Sequence, residues 1–168
     1  MIFSACLACV AQAQESPRFE DYRVSERFSG QPAKPILVTR EQRLYRTRIT
    51  QGALRGDRIV ADGKSGRLIE KPGANFAGHY VVIQWGCGSQ CVMMAIVDLK
   101  TGNVYPPPLS GGSELNLPLD NLSDMETDFR PDSSLMVLRN ACRNFRGECG
   151  TYYFNWSHDR FALLKLMQ

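Results

Sequence analysis

The sequence predicts one α+β domain that is mostly β, with two antiparallel three-stranded meanders, disulfide-tipped hairpins and one N-terminal helix. The main observation is a repeated order of strand, cysteine, short loop, cysteine and strand. It occurs first around Cys87 and Cys91 and again around Cys142 and Cys149. A second observation is the composition: 168 residues with 43% hydrophobic and 22% charged side chains are enough for one globular core.

The N-terminus has the pattern of an export signal. Residues 1–10 are apolar and uncharged, and Ala11-Gln12-Ala13 fits the small-x-small rule for signal-peptide cleavage. The apolar run is too short to span a bilayer. We therefore expect residues 1–13 to be a signal peptide and the protein to be periplasmic or secreted, without a transmembrane segment. A basic segment before the apolar run is missing, and a longer N-terminus would instead permit lipidation at Cys6 or Cys9.

Cleavage after Ala13 would leave four cysteines, an even number that suits an oxidising compartment. Pairing Cys87 with Cys91 and Cys142 with Cys149 is the simplest of the three possible connectivities. Each bridge closes a short loop, so loop-closure entropy gives it only about 2 kcal/mol.

An extended arm is predicted for residues 14–38, because proline and glycine interrupt any periodicity there. A helix is predicted next, since Thr39 and Gln42 match a capping box. Apolar residues then recur every four positions, at Tyr45, Ile49 and Ala53. The alternation of Tyr45, Thr47 and Ile49 would also suit a strand.

Residues 39–168 are predicted to form the domain. After a polar, glycine-rich connection that could hold a small hairpin around residues 59–69, six strands are expected. They are His79–Trp85, Val92–Asp98, Val104–Tyr105, Leu135–Leu138, Thr151–Trp156 and Phe161–Leu166. The first two are apolar on both faces, which is typical of strands covered on both sides. Residues 109–133 are interpreted as a long acidic loop, and Ser157-His158-Asp159 as a turn.

Two segments resemble a signature of small, uncharacterised secreted bacterial proteins. They are Asn75-Phe76-Ala77-Gly78-His79-Tyr80 and Trp85-Gly86-Cys87-Gly88-Ser89-Gln90-Cys91. The resemblance extends from Asn75 to the C-terminus, about half of the chain. It implies export and a β-rich fold, and it implies no activity.

The cysteines permit three other kinds of chemistry. Cys87-Gly-Ser-Gln-Cys91 superficially resembles the nucleophile segment of papain-like proteases, but it has one residue more and lacks the following Trp. A four-cysteine zinc site would need closer spacing in the second pair. A redox pair would need Cys-x-x-Cys at a helix N-terminus. Disulfides are therefore preferred, and we expect no metal and no cofactor.

Other polar and aromatic groups have an ordinary structural interpretation beside a functional one. The acidic positions Asp120, Asp124, Glu126 and Asp128 lack the spacing of an EF-hand and favour a solvated loop over a calcium site. Tyr152, Phe154 and Trp156 share one strand face, which favours the core over an exposed glycan- or peptide-binding platform. His79 opens a strongly apolar strand and is interpreted as structural.

The charge distribution is uneven. Residues 18–67 carry six more basic than acidic groups, whereas residues 113–132 carry five more acidic than basic groups. Such asymmetry can mark a polyanion-binding or membrane-facing surface, or simply two solvated faces. The net charge of +3 is too small to imply a nucleic-acid partner, and we expect none.

Because no complete catalytic constellation is visible, the preferred interpretation is an exported, non-enzymatic binding or inhibitor-like module. Its ligand would be an unknown protein or a cell-envelope component. The candidate binding residues are His79, Trp85, Arg143, Phe145 and Arg146, the last three in the loop between Cys142 and Cys149. The alternative is a cell-envelope hydrolase with His79 as base and Asp98 or Asp120 as its partner.

The export signal gives a first prediction. If Ala11-Gln12-Ala13 is the cleavage site, protein recovered from a periplasmic or culture fraction begins near Gln14, as N-terminal mass spectrometry would show. Full-length protein confined to the cytoplasm would contradict export and make zinc binding by the cysteines the better interpretation.

Overall fold

The structure, a computed structural model, describes residues 15–55, 73–88, 91–110, 113–117, 125–143 and 148–168. Its described elements are a 3₁₀ turn, two helices and seven strands in two antiparallel sheets. The 3₁₀ turn is Phe19–Tyr22, and the helices are α1 (Arg40–Leu44) and α2 (Arg46–Arg55). The strands are β1 (Tyr80–Gly88), β2 (Cys91–Asp98), β3 (Val104–Tyr105), β4 (Glu126–Phe129), β5 (Leu135–Cys142), β6 (Cys149–Ser157) and β7 (Arg160–Met167). The mostly-β prediction is confirmed.

The segment after the arm is helical, and its start is the predicted capping box. The Gln42 amide donates to Thr39 Oγ1 over 3.1 Å, and the Thr39 amide donates to Gln42 Oε1 over 3.3 Å. Ile49 and Ala53 face the core, as their spacing predicts. Where one helix is predicted the structure has two, because Tyr45 leaves helical geometry between them with φ −96° and ψ 20°.

The first sheet has the strand order β1-β2-β3 and matches the first predicted meander. Tyr80 lies opposite Asp98, and Trp85 lies opposite Met93. The register shifts once near the hairpin tip, at Gly86–Gly88. The Cys87–Cys91 and Cys142–Cys149 disulfides are both formed, as predicted.

The second sheet has four strands, β4-β5-β6-β7, and corrects the predicted three. The additional strand, β4, lies within the segment predicted as an acidic loop. Its sequence is too short and too polar to indicate a strand, and it forms by pairing with the edge of β5. Side chains also hold it: Asp128 forms an ion pair with Arg139, and Gln84 of β1 donates to Thr127 Oγ1 over 3.0 Å.

The two sheets and the helices stack as three layers. One core cluster joins Val82 and Ile96 of the first sheet to Met136 and Phe154 of the second. The opposite face of the first sheet packs on the helices, with contributions from Ile49, Ala53, Ile83, Trp85 and Ala95. The first sheet is therefore covered on both sides, which explains why β1 and β2 are apolar on both faces.

The arm of residues 15–38 binds along the turns of both sheets. Its Val24 amide donates to the Asp132 carbonyl of the second sheet's β4–β5 turn over 3.0 Å. Its Ile36 amide donates to the Gly102 carbonyl of the first sheet's β2–β3 turn over 2.8 Å. The arm is thus an ordered strap that connects the two sheets at one end.

Several predicted features lie outside the described residues. They are the signal peptide, the possible hairpin at residues 59–69, and Asp120 and Asp124 of the acidic segment. Within the described part of the chain, no helix is long and apolar enough to cross a membrane.

Two glycines allow the strap to approach the turns closely. Gly78 has a φ of +83°, and a Cβ there would lie 2.7 Å from the Glu26 carbonyl oxygen. Gly102 has a φ of +82°, and a Cβ there would lie 2.3 Å from the Lys34 carbonyl oxygen. A side chain at either position would meet backbone atoms that cannot rotate away.

We predict that Gly78→Ala and Gly102→Ala each lower the free energy of unfolding by about 2–4 kcal/mol, through left-handed strain plus the clash with the strap. Amide hydrogen exchange makes each variant the control of the other. Gly78→Ala should accelerate exchange at Phe28, and Gly102→Ala should accelerate exchange at Ile36. Equal acceleration at both amides in both variants would show that the strap does not bind locally at these glycines.

Candidate binding cleft

A cleft of about 270 Å³ opens where the strap meets the turns of both sheets. Four segments line it: the strap, the turn that precedes β1 together with the start of β1, the β4–β5 turn, and the end of β6 with the turn that follows it. The lining residues are Val24, Glu26, Ala77, His79, Tyr80, Ser134, Trp156, Ser157, His158 and Asp159. The cleft therefore combines two carboxylates, two imidazoles and two hydroxyl-bearing serines with apolar walls.

His79 lies between two carboxylates at the back of the cleft. Its Nδ1 is 3.0 Å from Glu26 Oε2, an ion-pair distance without the alignment of a hydrogen bond. Its Nε2 is 3.8 Å from Asp98 Oδ1. The ring also packs on Tyr80, with 4.2 Å between ring centroids. Both nitrogens thus face acidic groups, and the side chain is only 17% exposed.

Asp98 is held by its own turn. Its Oδ1 accepts the Lys100 amide over 2.8 Å, and its Oδ2 accepts the Thr101 hydroxyl over 2.7 Å. The Leu99 amide donates to the His79 carbonyl over 2.9 Å, which fixes this turn beside the histidine. The predicted partner Asp98 is therefore near His79, but its oxygens already stabilise the β2–β3 turn.

Glu26 connects the strap to the side chains of Lys100 and His79. One carboxylate oxygen forms an ion pair with Lys100, and the other faces His79. The hydrogen bond from Lys100 holds the pKa of Glu26 below its ordinary value of 4.5, and the charge on His79 adds to this effect. The strap therefore brings a carboxylate that stays ionised in mildly acidic solution.

Asp159 joins the two sheets at the mouth of the cleft. The Tyr80 hydroxyl of β1 donates to Asp159 Oδ1 over 2.6 Å. Burial, followed by this hydrogen bond, raises the pKa of Tyr80 well above its ordinary value. Burial also raises the pKa of Tyr105, with a further contribution from Asp159. Both phenols therefore stay protonated and can donate to the carboxylate.

Backbone strain is concentrated around the cleft. Of the four described non-glycine residues with positive φ, Ala77, His158 and Asp159 line it. The strain at Ala77 has a structural use, because the Ala77 and Gly78 amides donate to carbonyls of Ser133 and Pro131 in the second sheet's β4–β5 turn. The strain at Asp159 is offset by its bond to Tyr80.

The left-handed backbone of His158, unlike that of Ala77 and Asp159, is not accompanied by a hydrogen bond of the residue to another part of the described fold. It occupies the first position of a two-residue β-hairpin loop between Ser157 and Arg160, with φ of 51°. Such a loop needs positive φ at both residues and favours Asn or Gly. A histidine there costs about 1 kcal/mol relative to glycine. Its imidazole is exposed and makes no hydrogen bond with the described side chains.

The other predicted binding residues do not join this cleft. Trp85 is 1% exposed and packs on Tyr45, with 5.4 Å between ring centroids, so it belongs to the core. Arg143 is exposed at the end of β5, and its amide donates to the Glu148 carbonyl over 3.1 Å. Phe145 and Arg146 lie outside the described residues.

The aromatic face of β6 is buried, as its core interpretation predicts. Tyr152, Phe154 and Trp156 are all at most 5% exposed. Trp156 packs edge-to-face on Tyr80 and Phe161, with centroids 5.1 Å and 4.6 Å away. These rings support the cleft wall and are not an open stacking platform.

The four cysteines that the structure describes offer no free thiol, because all of them are in disulfides. Among the described residues, no group of three or more His, Cys, Asp and Glu side chains is arranged to hold a metal ion. No protein-family model matches the chain, and no curated protein or solved structure matches it significantly.

Sequence reasoning found His79 and Asp98 but missed Glu26, His158 and Asp159 as members of one site. The signal for the last two was the short turn Ser157-His158-Asp159, in which histidine replaces the usual turn residues. Glu26 gave no signal, because nothing in an extended arm indicates where it binds.

The Glu26 contacts predict an acid-dependent stability. A folded-state pKa below 4.5 means that ionised Glu26 stabilises the fold above the unfolded-state pKa, and that this stabilisation is lost as pH falls through the folded pKa. Wild type should therefore exceed Glu26→Gln in unfolding free energy at neutral pH, and the difference should shrink below about pH 4.5. Urea titrations across pH measure this.

Lys100→Met is the matched control, because it removes the main cause of the low pKa. In that background the Glu26→Gln substitution should have a smaller and flatter effect on stability across pH. A Glu26→Gln difference that grows on acidification would contradict the assigned ion pairs.

Proposed function

We propose that the protein is an exported, non-enzymatic binding module whose ligand occupies this cleft. The observation that carries the proposal is His158. It holds an exposed imidazole at the cleft mouth, in a left-handed turn conformation that the hairpin requires but that glycine would adopt with less strain. Strained residues of this kind cluster at ligand-binding sites. A small cleft with apolar walls and a few convergent polar groups also fits a binding site.

Export is supported by the disulfides. Two bridges that close short loops persist in an oxidising environment and are rare in reducing cytosol. They are compatible with a periplasmic or secreted protein. The resemblance of Asn75–Tyr80 and Trp85–Cys91 to a signature of small secreted bacterial proteins is in keeping with this proposal.

A binding role is favoured over catalysis by the state of His79. A general base needs one nitrogen within hydrogen-bond reach of a nucleophile or a water, and the other nitrogen oriented by a partner. Here both nitrogens face carboxylates, Glu26 and Asp98. The Ser134 hydroxyl of the cleft is engaged with Asn155 Oδ1 at 2.7 Å. The polar side chains of the cleft are thus engaged with one another, and their contacts stabilise the wall of the cleft.

A cell-envelope hydrolase is the second candidate function. Its specific support is the approach of His79 Nε2 to Asp98, the acid–imidazole pair that such an enzyme would use. For hydrolysis, a water or hydroxyl nucleophile would have to take the place of Glu26 or Asp98 beside one nitrogen of His79.

The test is a fragment screen by two-dimensional amide NMR with a library of small polar fragments. Fragments should shift the amides of His79, Ser134 and His158 and be recovered chemically unchanged by mass spectrometry. His158→Gly should weaken these hits at least tenfold while raising the free energy of unfolding by about 1 kcal/mol, because glycine relieves the left-handed strain.

Asn140→Gly is the matched control. Asn140 also has positive φ, 53°, but lies outside the cleft lining. Its replacement should leave fragment binding unchanged. If hits fall elsewhere on the protein, or survive His158→Gly at full strength, the cleft is not the ligand site. Hydrolysed fragments, with hydrolysis lost in His79→Ala, would establish the hydrolase instead.

A further inference from the structure

Exposed cations and apolar side chains share the segment from residue 34 to residue 54. Its five basic side chains up to residue 48 are all exposed: Lys34, Arg40, Arg43, Arg46 and Arg48. Seven large apolar side chains are strongly exposed in the described chain, and four of them lie here: Ile36 at 51%, Val38 at 66%, Leu44 at 73% and Leu54 at 37%. We call this set the basic helix surface.

The positive charge of this surface is only partly offset by described carboxylates, which are Glu41 of α1 and Glu114, whose Oε1 accepts the Gln42 side-chain amide over 3.0 Å. Arg40, Arg46 and Arg48 form no ion pair with any residue that the structure describes. The single acidic residue between positions 34 and 48 is Glu41, and its carboxylate accepts the Leu115 amide over 3.1 Å. The cations therefore project a field toward solvent.

The apolar groups are held in place on the same segment. The Arg43 guanidinium donates to the Leu37 carbonyl over 3.2 Å and to the Val38 carbonyl over 2.7 Å. The Val38 amide also donates to Gln42 Oε1 over 2.8 Å. The extended residues before α1 are thus fixed against the helix, which presents Val38 and Leu44 on an ordered surface.

We propose that the basic helix surface docks on an anionic phospholipid bilayer. Basic residues on a helix attract anionic headgroups, and interspersed large apolar side chains enter the boundary with the acyl chains. An acidic protein partner would satisfy the arginines equally. The lipid surface is favoured because it also covers apolar side chains that stand singly among the cations.

This inference is independent of the cleft, because none of the cleft residues belongs to the basic helix surface. It would give the proposed binding module a location in the cell envelope, with the cleft free for a separate ligand.

The test is co-sedimentation of the purified protein with phosphatidylcholine vesicles, with and without phosphatidylglycerol. Binding should require phosphatidylglycerol and fall as salt is added. The double variant Arg40→Gln, Arg48→Gln should weaken binding about twenty-fivefold, since each basic residue near an anionic surface contributes about a fivefold factor. Leu44→Gln should weaken it about tenfold through lost apolar insertion.

The matched control is Arg23→Gln with Arg160→Gln, which removes the same charge from exposed sites outside this surface; like Arg40 and Arg48, these two form no ion pair with a described residue. It should retain binding within about threefold, and circular dichroism should show all variants folded. Equal losses in both double variants would reduce the effect to net charge and overturn the proposal. Absence of vesicle binding, with wild type instead retained on immobilised polyglutamate through Arg40 and Arg48, would make an acidic polypeptide the partner and also overturn it.

Discussion

The geometry of the cleft depends on the backbone contact between the strap and the turn at Gly78. The Phe28 amide donates to the Gly78 carbonyl over 2.9 Å, and the Gly78 amide donates to the Pro131 carbonyl over 2.8 Å. One residue therefore binds the strap on one side and the second sheet on the other. Because Glu26 precedes this contact by two positions and His79 follows it directly, the same contact sets the distance between their side chains.

Local features of the fold were predictable because they depend on neighbours in sequence. Each hairpin is closed by cysteines a few residues apart, and alternation and turn residues indicate the strands beside them. The proximity of His79 to Asp98 also follows from the β1–β2 hairpin, because its register places Tyr80, the neighbour of His79, opposite Asp98. The capping box at Thr39 likewise specifies the start of a helix with no long-range information.

Features that depend on distant residues were not predictable. The Tyr80–Asp159 hydrogen bond joins positions 79 residues apart, and β4 is a strand because β5 offers it an edge. Glu26 becomes part of the cleft because Gly78 and Gly102 let the strap pack closely against the two turns. The sequence of an extended segment has no pattern that indicates which part of the fold it will contact. The layer arrangement has the same origin, since apolar faces indicate that strands are covered but not by which element.

The three left-handed residues that line the cleft differ in whether the fold explains them. Ala77 takes a left-handed conformation so that its turn can donate to the second sheet, and Asp159 does so while accepting the Tyr80 hydroxyl. A hydrogen bond to a charged group contributes about 1.5–3 kcal/mol, which is of the size needed to offset the roughly 1–2 kcal/mol of left-handed strain. At His158 the hairpin dictates the conformation but not the residue type. Glycine would form the same turn with less backbone strain. The fold therefore does not explain why this position carries an imidazole that is exposed at the cleft mouth.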